Sequence, residues 1–389
     1  MKYKTNSLNC LADIQTGPFG SQLHNEDYVL EGTPIVTVEH LGEKNFKQQN
    51  LPYVSDADKE RLSKYVLKTG DIVFSRVGSV DRCSYVSAKY DGWLFSGRCL
   101  RVRPNETLDP QYLYYYFCAE ETKQFVRNIA VGATMPSINT ALLGQVQISY
   151  PDIITQKKIA AILSALDEKI AINREINDNL EQQAVTLVAE YAERTPYSSA
   201  FSDIMNFDNG FAFQSSTYLS NGKYKIITIK NVQDGYIDST GSAFIDSLPQ
   251  RMKDNCILNI GDVLLSLTGN VGRVGVVCEE NLLLNQRVAK IVPYDNKLLP
   301  FLYFVFRQSG TKTRLETIAK GTAQLNLSPI ETLKLTIPYE ESSAIQLSQL
   351  LEPLYRKIIN NNQESCFFAL LRDTLLPKLM SGEIDVSAV

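Results

Sequence analysis

Polar side chains that could contact a nucleic acid occur in two sets, one in each half of the chain. Lysine and arginine neutralise phosphate groups, and arginine, asparagine, glutamine and serine form hydrogen bonds with base edges. On predicted loops of the first half these residues are Lys44, Arg76, Ser79, Arg82, Arg98, Ser137 and Asn139. In the second half they are Lys230, Gln233, Asn270, Arg273, Gln286, Arg287, Gln324 and Asn326. Both sets are candidate DNA contacts, and an ordinary surface role stays equally open for each residue.

The sequence lacks the motifs that catalysis on DNA would require. An adenine methyltransferase needs a glycine-rich cofactor loop and an Asn/Asp-Pro-Pro-aromatic tetrapeptide, an ATP-driven motor needs GxxxxGK[ST], and none of these is present. The glycines of TGNVGRVG (268–275) fit turns better than a nucleotide-binding loop, and the charges of PDIITQK (151–157) and DEK (167–169) are expected to be solvated. With only two histidines and no closely spaced cysteine pair, a zinc site is not expected. We predict a non-catalytic chain that holds no metal and no cofactor.

The composition is that of an ordinary globular protein. The chain has 389 residues, of which 44% are hydrophobic and 21% charged, and this length allows roughly two to three domains. The longest apolar run, 298–306, is too short to cross a bilayer, and the N-terminus lacks an apolar signal core. Seven scattered cysteines fit the reduced thiols of a cytoplasmic protein. The net charge of −4 does not indicate a nucleic-acid binder, but a total can hide a local basic surface.

The chain contains an internal repeat. GDIVFSRVGSV (70–80) returns as GDVLLSLTGNV (261–271), 191 positions later. Four further pairs keep the same order: PIVTVEHL (34–41) with KIITIKNV (225–232), PQYLYYYF (110–117) with PFLYFVF (300–306), IAVGATMPSIN (129–139) with IAKGTAQLNLS (318–328), and VQISYP (146–151) with LKLTIP (333–338). Chance similarity would not preserve the order over a whole half, so we infer two copies of one domain.

Each copy is predicted to be mixed α+β. Short β-branched runs bounded by Gly, Pro and Asn indicate strands, most clearly PIVTV, GDIVFS, CLRVRP and VQISY in the first copy. The stretch 111–130, which follows Pro110, indicates one amphipathic helix, and its aromatic residues are expected to pack in the core rather than to stack on bases.

Each copy is followed by a long helix-forming stretch. Residues 155–194 contain neither Gly nor Pro, and a seam with alternating steps of three and four predicts a coiled coil with polar residues at its centre. A buried asparagine in such a seam fixes register, but exposure of these side chains to water stays open. Pro353 is expected to break or kink the second helix near its start. The seam positions are Leu163, Leu166, Ile170, Asn173, Asn177, Leu180, Ala184, Leu187 and Tyr191, and then Leu351, Leu354, Ile358, Asn361, Ser365, Phe368, Arg372, Leu375 and Leu379.

The predicted architecture is two similar α+β recognition domains separated by two long antiparallel coiled-coil helices, with pseudo-two-fold symmetry. About 35 helical residues at ~1.5 Å each would span ~50 Å. The predicted segments are a first recognition domain at 1–153, a central helix at 154–195, a second recognition domain at 196–340, and a C-terminal helix at 341–389.

The chain resembles the specificity subunit of type I restriction–modification systems. The segments that carry the resemblance are GDIVFSRVGSVDR, GDVLLSLTGNVGRVGVV, GATMPSIN, YPDIITQKKIAAILSALDEKI and LLPKLMSGEIDV. The last two are the most specific, and the match covers essentially the whole chain. One departure is the second helix, which opens with YEESSAIQLSQLLEPL and lacks the QKKI form.

The resemblance implies a subunit that recognises a bipartite DNA sequence, with one domain for each half-site and the helices fixing the gap. It also implies docking of two methyltransferase subunits and of motor-nuclease subunits, so S-adenosylmethionine, ATP and Mg²⁺ are expected on those partners only. Matched loops carry different polar residues, so the two half-sites should differ. A coiled-coil protein–protein scaffold that never contacts DNA is the alternative, and an autonomous nuclease or methyltransferase is the third hypothesis.

Overall fold

A computed structural model describes residues 2–18, 22–321 and 324–386. The chain divides into two compact units. The first consists of Met1–Glu168 and Ala369–Val389, and the second of Lys169–Phe368. Each unit contains one repeat copy together with part of each long helix.

The first unit combines three small sheets with short helices. Its sheets have the strand orders β2-β9-β6-β7, β3-β5-β4-β8 and β1-β10. The strands are β1 (Lys4–Ser7), β2 (Ala12–Thr16), β3 (Tyr28–Val29), β4 (Thr33–Val36), β5 (Tyr53–Val54), β6 (Ile72–Ser75), β7 (Cys83–Tyr85), β8 (Leu94–Phe95), β9 (Cys99–Pro104) and β10 (Gln147–Tyr150). The helices are α1 (Leu8–Leu11), α2 (Asp56–Arg61), α3 (Pro110–Cys118), α4 (Glu120–Ile129) and α5 (Thr140–Leu143).

The second unit repeats this plan. Its strands are β11 (Ser198–Ala200), β12 (Met205–Asn209), β13 (Tyr224–Ile227), β14 (Gly235–Tyr236), β15 (Ala243–Ile245), β16 (Ile257–Leu258), β17 (Val263–Ser266), β18 (Val274–Val276), β19 (Leu282–Leu284), β20 (Val288–Pro293) and β21 (Thr336–Pro338). They form sheets of order β12-β20-β17-β18-β14, β15-β13-β19-β16 and β11-β21. The short helices are α7 (Leu299–Arg307), α8 (Ser309–Ile318) and α9 (Pro329–Leu333).

The two sheets that contain the GDIVFS and GDVLLS segments have the same pairing. β6 lies antiparallel between β7 and β9, and β17 lies antiparallel between β18 and β20. All four residues of β6 and of β17 are buried, as continuous apolar runs predict. The internal repeat and the four clearest strands predicted from the sequence are therefore confirmed.

The single helix predicted over 111–130 is wrong in its continuity. Ala119 adopts an extended conformation (ψ 134°) that ends α3, and α4 begins at the next residue. Gln308 (ψ 136°) separates α7 from α8 in the same way. The prediction that the aromatics are core residues is confirmed, because Tyr112, Tyr115 and Phe117 are all buried within the first unit.

Two long helices complete the chain, α6 (Ile153–Arg194) with 42 residues and α10 (Glu341–Ser381) with 41. They pair antiparallel within each unit. In the first unit Arg372 contacts Asp167 (2.7 Å). In the second unit Asn361 donates to Asn177 (2.8 Å), and Tyr191 donates to the Glu340 carbonyl (3.3 Å). All 18 predicted seam positions are buried or half-buried.

The polar centre of the seam is buried and hydrogen-bonded, so the open alternative that these asparagines face water is wrong. Asn173, Asn177 and Asn361 are at most 8% exposed. The Asn177 amide donates to Asn362 Oδ1 (2.8 Å), and Asn173 donates to the Glu364 carboxylate (2.8 Å). These contacts hold α6 and α10 in a single register within the second unit.

Pro353 does not break α10. Proline removes the hydrogen bond to the carbonyl four residues earlier, yet the helix continues from Glu341 to Ser381 and also passes through Pro377. Pro353 is exposed, while Leu351 and Tyr355 beside it pack in the core of the second unit. This packing holds the segment helical. Within the described residues, no helix is both long and apolar enough to cross a membrane.

Candidate nucleic-acid interface

Three loops of the first unit meet through backbone hydrogen bonds. We call them loop cluster 1: residues 75–82 after β6, 96–98 before β9, and 131–139 between α4 and α5. The Arg76 amide donates to the Arg98 carbonyl (2.8 Å), and the Ile138 amide donates to the Arg76 carbonyl (2.9 Å). A third bond runs from the Gly78 amide to the Pro136 carbonyl (2.8 Å). The cluster therefore has a fixed backbone.

The second unit repeats these three bonds in loop cluster 2, which consists of residues 266–273, 285–287 and 320–328; within it, Thr322 and Ala323 lie outside the described residues. The Leu267 amide donates to the Arg287 carbonyl (3.2 Å), and the Leu327 amide donates to the Leu267 carbonyl (2.7 Å). The Gly269 amide donates to the Leu325 carbonyl (3.0 Å). Each bond joins residues that match by the repeat, so the two clusters share one backbone design.

A glycine permits the tight hairpin in each cluster. Val131 and Ser137 exchange two backbone hydrogen bonds (2.9 and 2.8 Å), as do Lys320 and Asn326 in the other unit. Gly132 has φ 111°, and a Cβ there would lie 2.7 Å from the Met135 carbonyl oxygen. Any other residue at this position would be strained and would clash with backbone.

The side chains on this common backbone differ between the clusters. The exposed Met135 (67% exposed) is matched by the exposed Gln324, and the half-buried Arg76 is matched by the buried Leu267. Ser137 is matched by Asn326. Two arginines are common to both clusters: Arg98 matches Arg287, and both are exposed, whereas the exposed Arg82 matches the half-buried Arg273.

Several predicted contact residues also have structural roles in their own loops. Arg76 donates to the Gly97 carbonyl (3.2 Å), and Ser137 donates to the Val131 carbonyl (3.2 Å). Asn139 caps α5 by accepting from the Leu142 amide (2.8 Å). Such bonds fix side-chain orientation, and the loop cluster brings Arg76, Arg98 and Ser137 together.

A cleft of about 360 Å³ in the first unit includes two predicted contact residues, Ser79 and Arg82. Its lining also includes Lys123, a further basic residue that the sequence analysis missed because it lies on α4 rather than on a loop. A hydrogen bond from the Cys83 thiol lowers the pKa of Cys118 at the same cleft.

Lys44 is half-buried, and its ammonium group contacts side chains of its own unit. Its Nζ donates to the Tyr115 hydroxyl (3.0 Å) and to Ser164 Oγ (3.1 Å), and it lies 4.0 Å from the Asp167 carboxylate. Burial lowers the pKa of Lys44 even though Asp167 favours the charged form. The lysine joins its loop to α6.

Three predicted residues of the second unit form a connected group. Arg273 donates to Gln233 Oε1 (3.0 Å), and the Gln233 amide donates to the Lys230 carbonyl (2.8 Å). Lys230 is exposed and its Nζ donates to the Gly241 carbonyl (2.9 Å). Asn270, Gln286 and Gln324 are exposed.

Comparison with known proteins agrees with this geometry. The family model described as "Type I restriction modification DNA specificity domain" matches residues 2–182 and again residues 198–365. Two matches of one model correspond to the two repeat copies, and together they cover most of the chain.

The chain belongs to this specificity family.

Relatives carry the same description. The chain is 26% identical over 312 residues to the type I restriction enzyme MjaIX specificity subunit of Methanocaldococcus jannaschii, covering 73% of this chain and 71% of that protein. It is 23% identical to the type I restriction enzyme HindI specificity subunit of Haemophilus influenzae, and the match covers 83% of this chain and 88% of that protein. A type I specificity subunit structure from M. genitalium matches 97% of this chain and 96% of its own, with a TM-score of 0.53 and 18% identity, which shows a common fold. Membership supports DNA sequence recognition as the chain's function.

In this specificity chain, charged residues on α6 tie each repeat copy to the helices, a feature that the sequence analysis missed. Asp167 accepts from the Tyr115 hydroxyl (2.5 Å) and pairs with Arg372. Burial acts to lower the pKa of Arg372, but the charge of Asp167 and its hydrogen bond outweigh burial, and the net pKa is raised. The sequence gives no signal for these contacts, because Tyr115 lies 52 positions and Arg372 lies 205 positions from Asp167.

The second unit has its own charged junction. Glu181 accepts from the Tyr303 hydroxyl (2.5 Å) and pairs with Arg307 (2.6 Å), which also pairs with Asp234 (2.9 Å). Removing Arg307 would leave the half-buried Glu181 carboxylate without its cation, so this junction fixes the copy on its helix.

Proposed function

We propose that the chain recognises a bipartite DNA sequence, with one loop cluster at each half-site. The observation that carries the proposal is that loop clusters 1 and 2 have the same backbone hydrogen bonds but different exposed side chains. Base pairs differ in the hydrogen-bonding groups and methyl groups that they present, and side chains distinguish them. The two half-sites should therefore differ in sequence.

The helix pair links the two clusters within one chain in this proposal. Each long helix begins in one unit and ends in the other. Linking two recognition sites in one chain makes the second binding event intramolecular, so the affinities of the half-sites compound. The chain is a recognition subunit and carries no catalytic role.

The helices also dock the catalytic partners in this proposal. Large apolar side chains are exposed on them, including Ile154, Ile172, Phe367 and Leu370 at 67, 49, 59 and 68%. Contiguous exposed apolar groups mark interaction sites, and Phe367 and Leu370 lie one helical turn apart on α10. Two methyltransferase subunits and the motor-nuclease subunits would bind the chain and supply S-adenosylmethionine, ATP and Mg²⁺.

The test is a map of methylated adenines in cells that carry the chain with its methyltransferase subunits. We expect one bipartite motif, which disappears when the gene for this chain is deleted and returns when it is restored. Its absence in the presence of active methyltransferase would favour the protein–protein scaffold instead. Methyl transfer to DNA by the purified chain alone would show an autonomous enzyme.

A further inference from the structure

Cys278, Glu279 and Cys366 bring three metal-binding groups together in the second unit. The two sulfur atoms lie 3.3 Å apart. Both sulfurs and one Glu279 carboxylate oxygen lie within 4.8 Å of one another. Although no zinc site was predicted from the sequence, we propose that these residues, whose two cysteines lie 88 positions apart in sequence, form a binding site for a thiophilic divalent cation, with zinc as the preferred cation. The site is independent of the proposed DNA recognition.

Secondary structure positions the three ligands. Cys278 and Glu279 lie two and three residues after the end of β18, and Cys366 lies in the middle of α10. Asn362 lies one helical turn before Cys366 on the same face, and its amide donates to the Gly235 carbonyl of β14 (3.2 Å). Because β14 pairs with β18, this face of α10 lies beside the strand pair that Cys278 follows in sequence.

The sulfur positions suit a tetrahedral centre. Zinc–sulfur bonds of about 2.3 Å at tetrahedral angles place two thiolates about 3.8 Å apart. The observed 3.3 Å therefore needs an outward shift of about half an ångström, which small side-chain rotations supply. Cys278 is 4% exposed, whereas Glu279 and Cys366 are half-buried, so a cation and a water molecule as fourth ligand have access.

The charges around the ligands also fit a divalent cation. Two thiolates and one carboxylate around a doubly charged cation leave one negative charge. Lys225 lies 2.7 Å from one Glu279 oxygen and neutralises it, while Ser239 donates to the other oxygen (2.7 Å). Each carboxylate oxygen keeps a further lone pair for the metal. Lys225 and Ser239 would thus be the outer groups that orient the ligand, as in many metal sites.

The experiment is a metal titration of the reduced, metal-free full-length chain. Zinc is titrated against a chromophoric chelator, and cadmium is used as a second probe because thiolate binding gives it an ultraviolet charge-transfer band. We expect one equivalent of each metal. Cys278→Ser and Cys366→Ser should each abolish the band, and Lys225→Gln should weaken zinc binding by about 10- to 100-fold. The matched control is Cys256→Ser, a buried cysteine of the same unit whose thiol contacts the Asn209 carbonyl instead.

Two results would overturn the proposal. One is a reduced wild-type chain that takes up no stoichiometric zinc or cadmium. The other is a band that survives in Cys366→Ser with its circular dichroism unchanged. If both serine variants unfold, the zinc affinities of Lys225→Gln and Glu279→Gln test the proposal instead. Unchanged zinc affinity in both variants would refute the site. A Cys278–Cys366 disulfide that forms in air and blocks metal uptake only until it is reduced is consistent with the proposal.

Discussion

Arg98 and Arg287 occupy the same place in the two loop clusters, and both are exposed. Around them Met135 is replaced by Gln324, and Ser137 by Asn326. A shared arginine suits contact with the phosphate backbone, which is the same at every sequence, whereas the changed side chains suit contacts to bases. We infer a division between positioning and discrimination within each cluster.

The shared arginine gives a direct prediction. Arg98→Ala in the complex with methyltransferase subunits should weaken DNA binding. It should also reduce the magnitude of the slope of log K against log salt concentration by about 1, which corresponds to one lost phosphate contact. The methylated motif should not change. Fluorescence anisotropy at several salt concentrations measures the affinity for DNA and the slope of log K against log salt concentration. The control is Arg194→Ala on α6. Among the described ion pairs, the exposed Arg194 pairs only with Glu190 of the same helix. A changed first half-site motif would instead assign Arg98 to base recognition.

Gly132 should be required for the hairpin of loop cluster 1. Gly132→Ala forces a Cβ to 2.7 Å from the Met135 carbonyl at φ 111°, so we expect destabilisation of about 1–2 kcal/mol and loss of recognition of one half-site. Thermal unfolding and methylation mapping measure the two effects. Gly310→Ala in α8 is the matched control, because a Cβ there meets nothing within 4 Å. Equal effects of the two substitutions would refute the role of the hairpin.

The sequence predicted the loop positions but not the environment of every residue on them. Repeat alignment alone matched Val77, Val131 and Ser137 with Thr268, Lys320 and Asn326, and these same residues form equivalent β-bridges. Lys44 could not be placed, because its burial depends on Tyr115, Ser164 and Asp167, which lie 71 to 123 positions away. Nothing in the local sequence records such distant partners.

At the scale of elements, the asparagine pair in the helix seam determines register. Asn361 donates to Asn177 across the two helices, and both are buried. Heptad spacing predicted the seam from sequence. It could not predict that α10 continues through Pro353, because the packing of Leu351 and Tyr355 outweighs the lost hydrogen bond there.

Removing one asparagine of this pair should lower the free energy of unfolding more than replacing both asparagines with leucine. Asn177→Leu leaves the Asn361 amide without its partner, so we expect a loss of about 1–3 kcal/mol in the free energy of unfolding. The double variant Asn177→Leu/Asn361→Leu should recover part of that loss, and chemical denaturation provides the double-mutant cycle. Asn179→Leu, at an exposed position on the same helix, should be close to neutral. Additive losses in the double variant would show that the pair is not coupled.

At the scale of the whole molecule, the net charge of −4 limits what the chain can do alone. Affinity for DNA comes mainly from neutralising phosphates, and a net negative charge opposes the approach of the chain to the DNA backbone. We expect the isolated chain to bind DNA with a dissociation constant no tighter than about 10⁻⁶ M at physiological salt. Adding methyltransferase subunits should tighten binding and add sequence preference. Tight, specific binding by the chain alone in a gel-shift assay would contradict this expectation.

Duplication of one α+β copy, rather than two unrelated domains, is the feature on which the proposed function depends most. The most direct measurement is methylation mapping with a chain in which residues 2–151 are replaced by a second copy of residues 198–338, expressed with its methyltransferase subunits. The proposal predicts a motif that contains the wild-type chain's second half-site twice and no trace of the first. A motif that still contains the first half-site would contradict the assignment of one copy to each half.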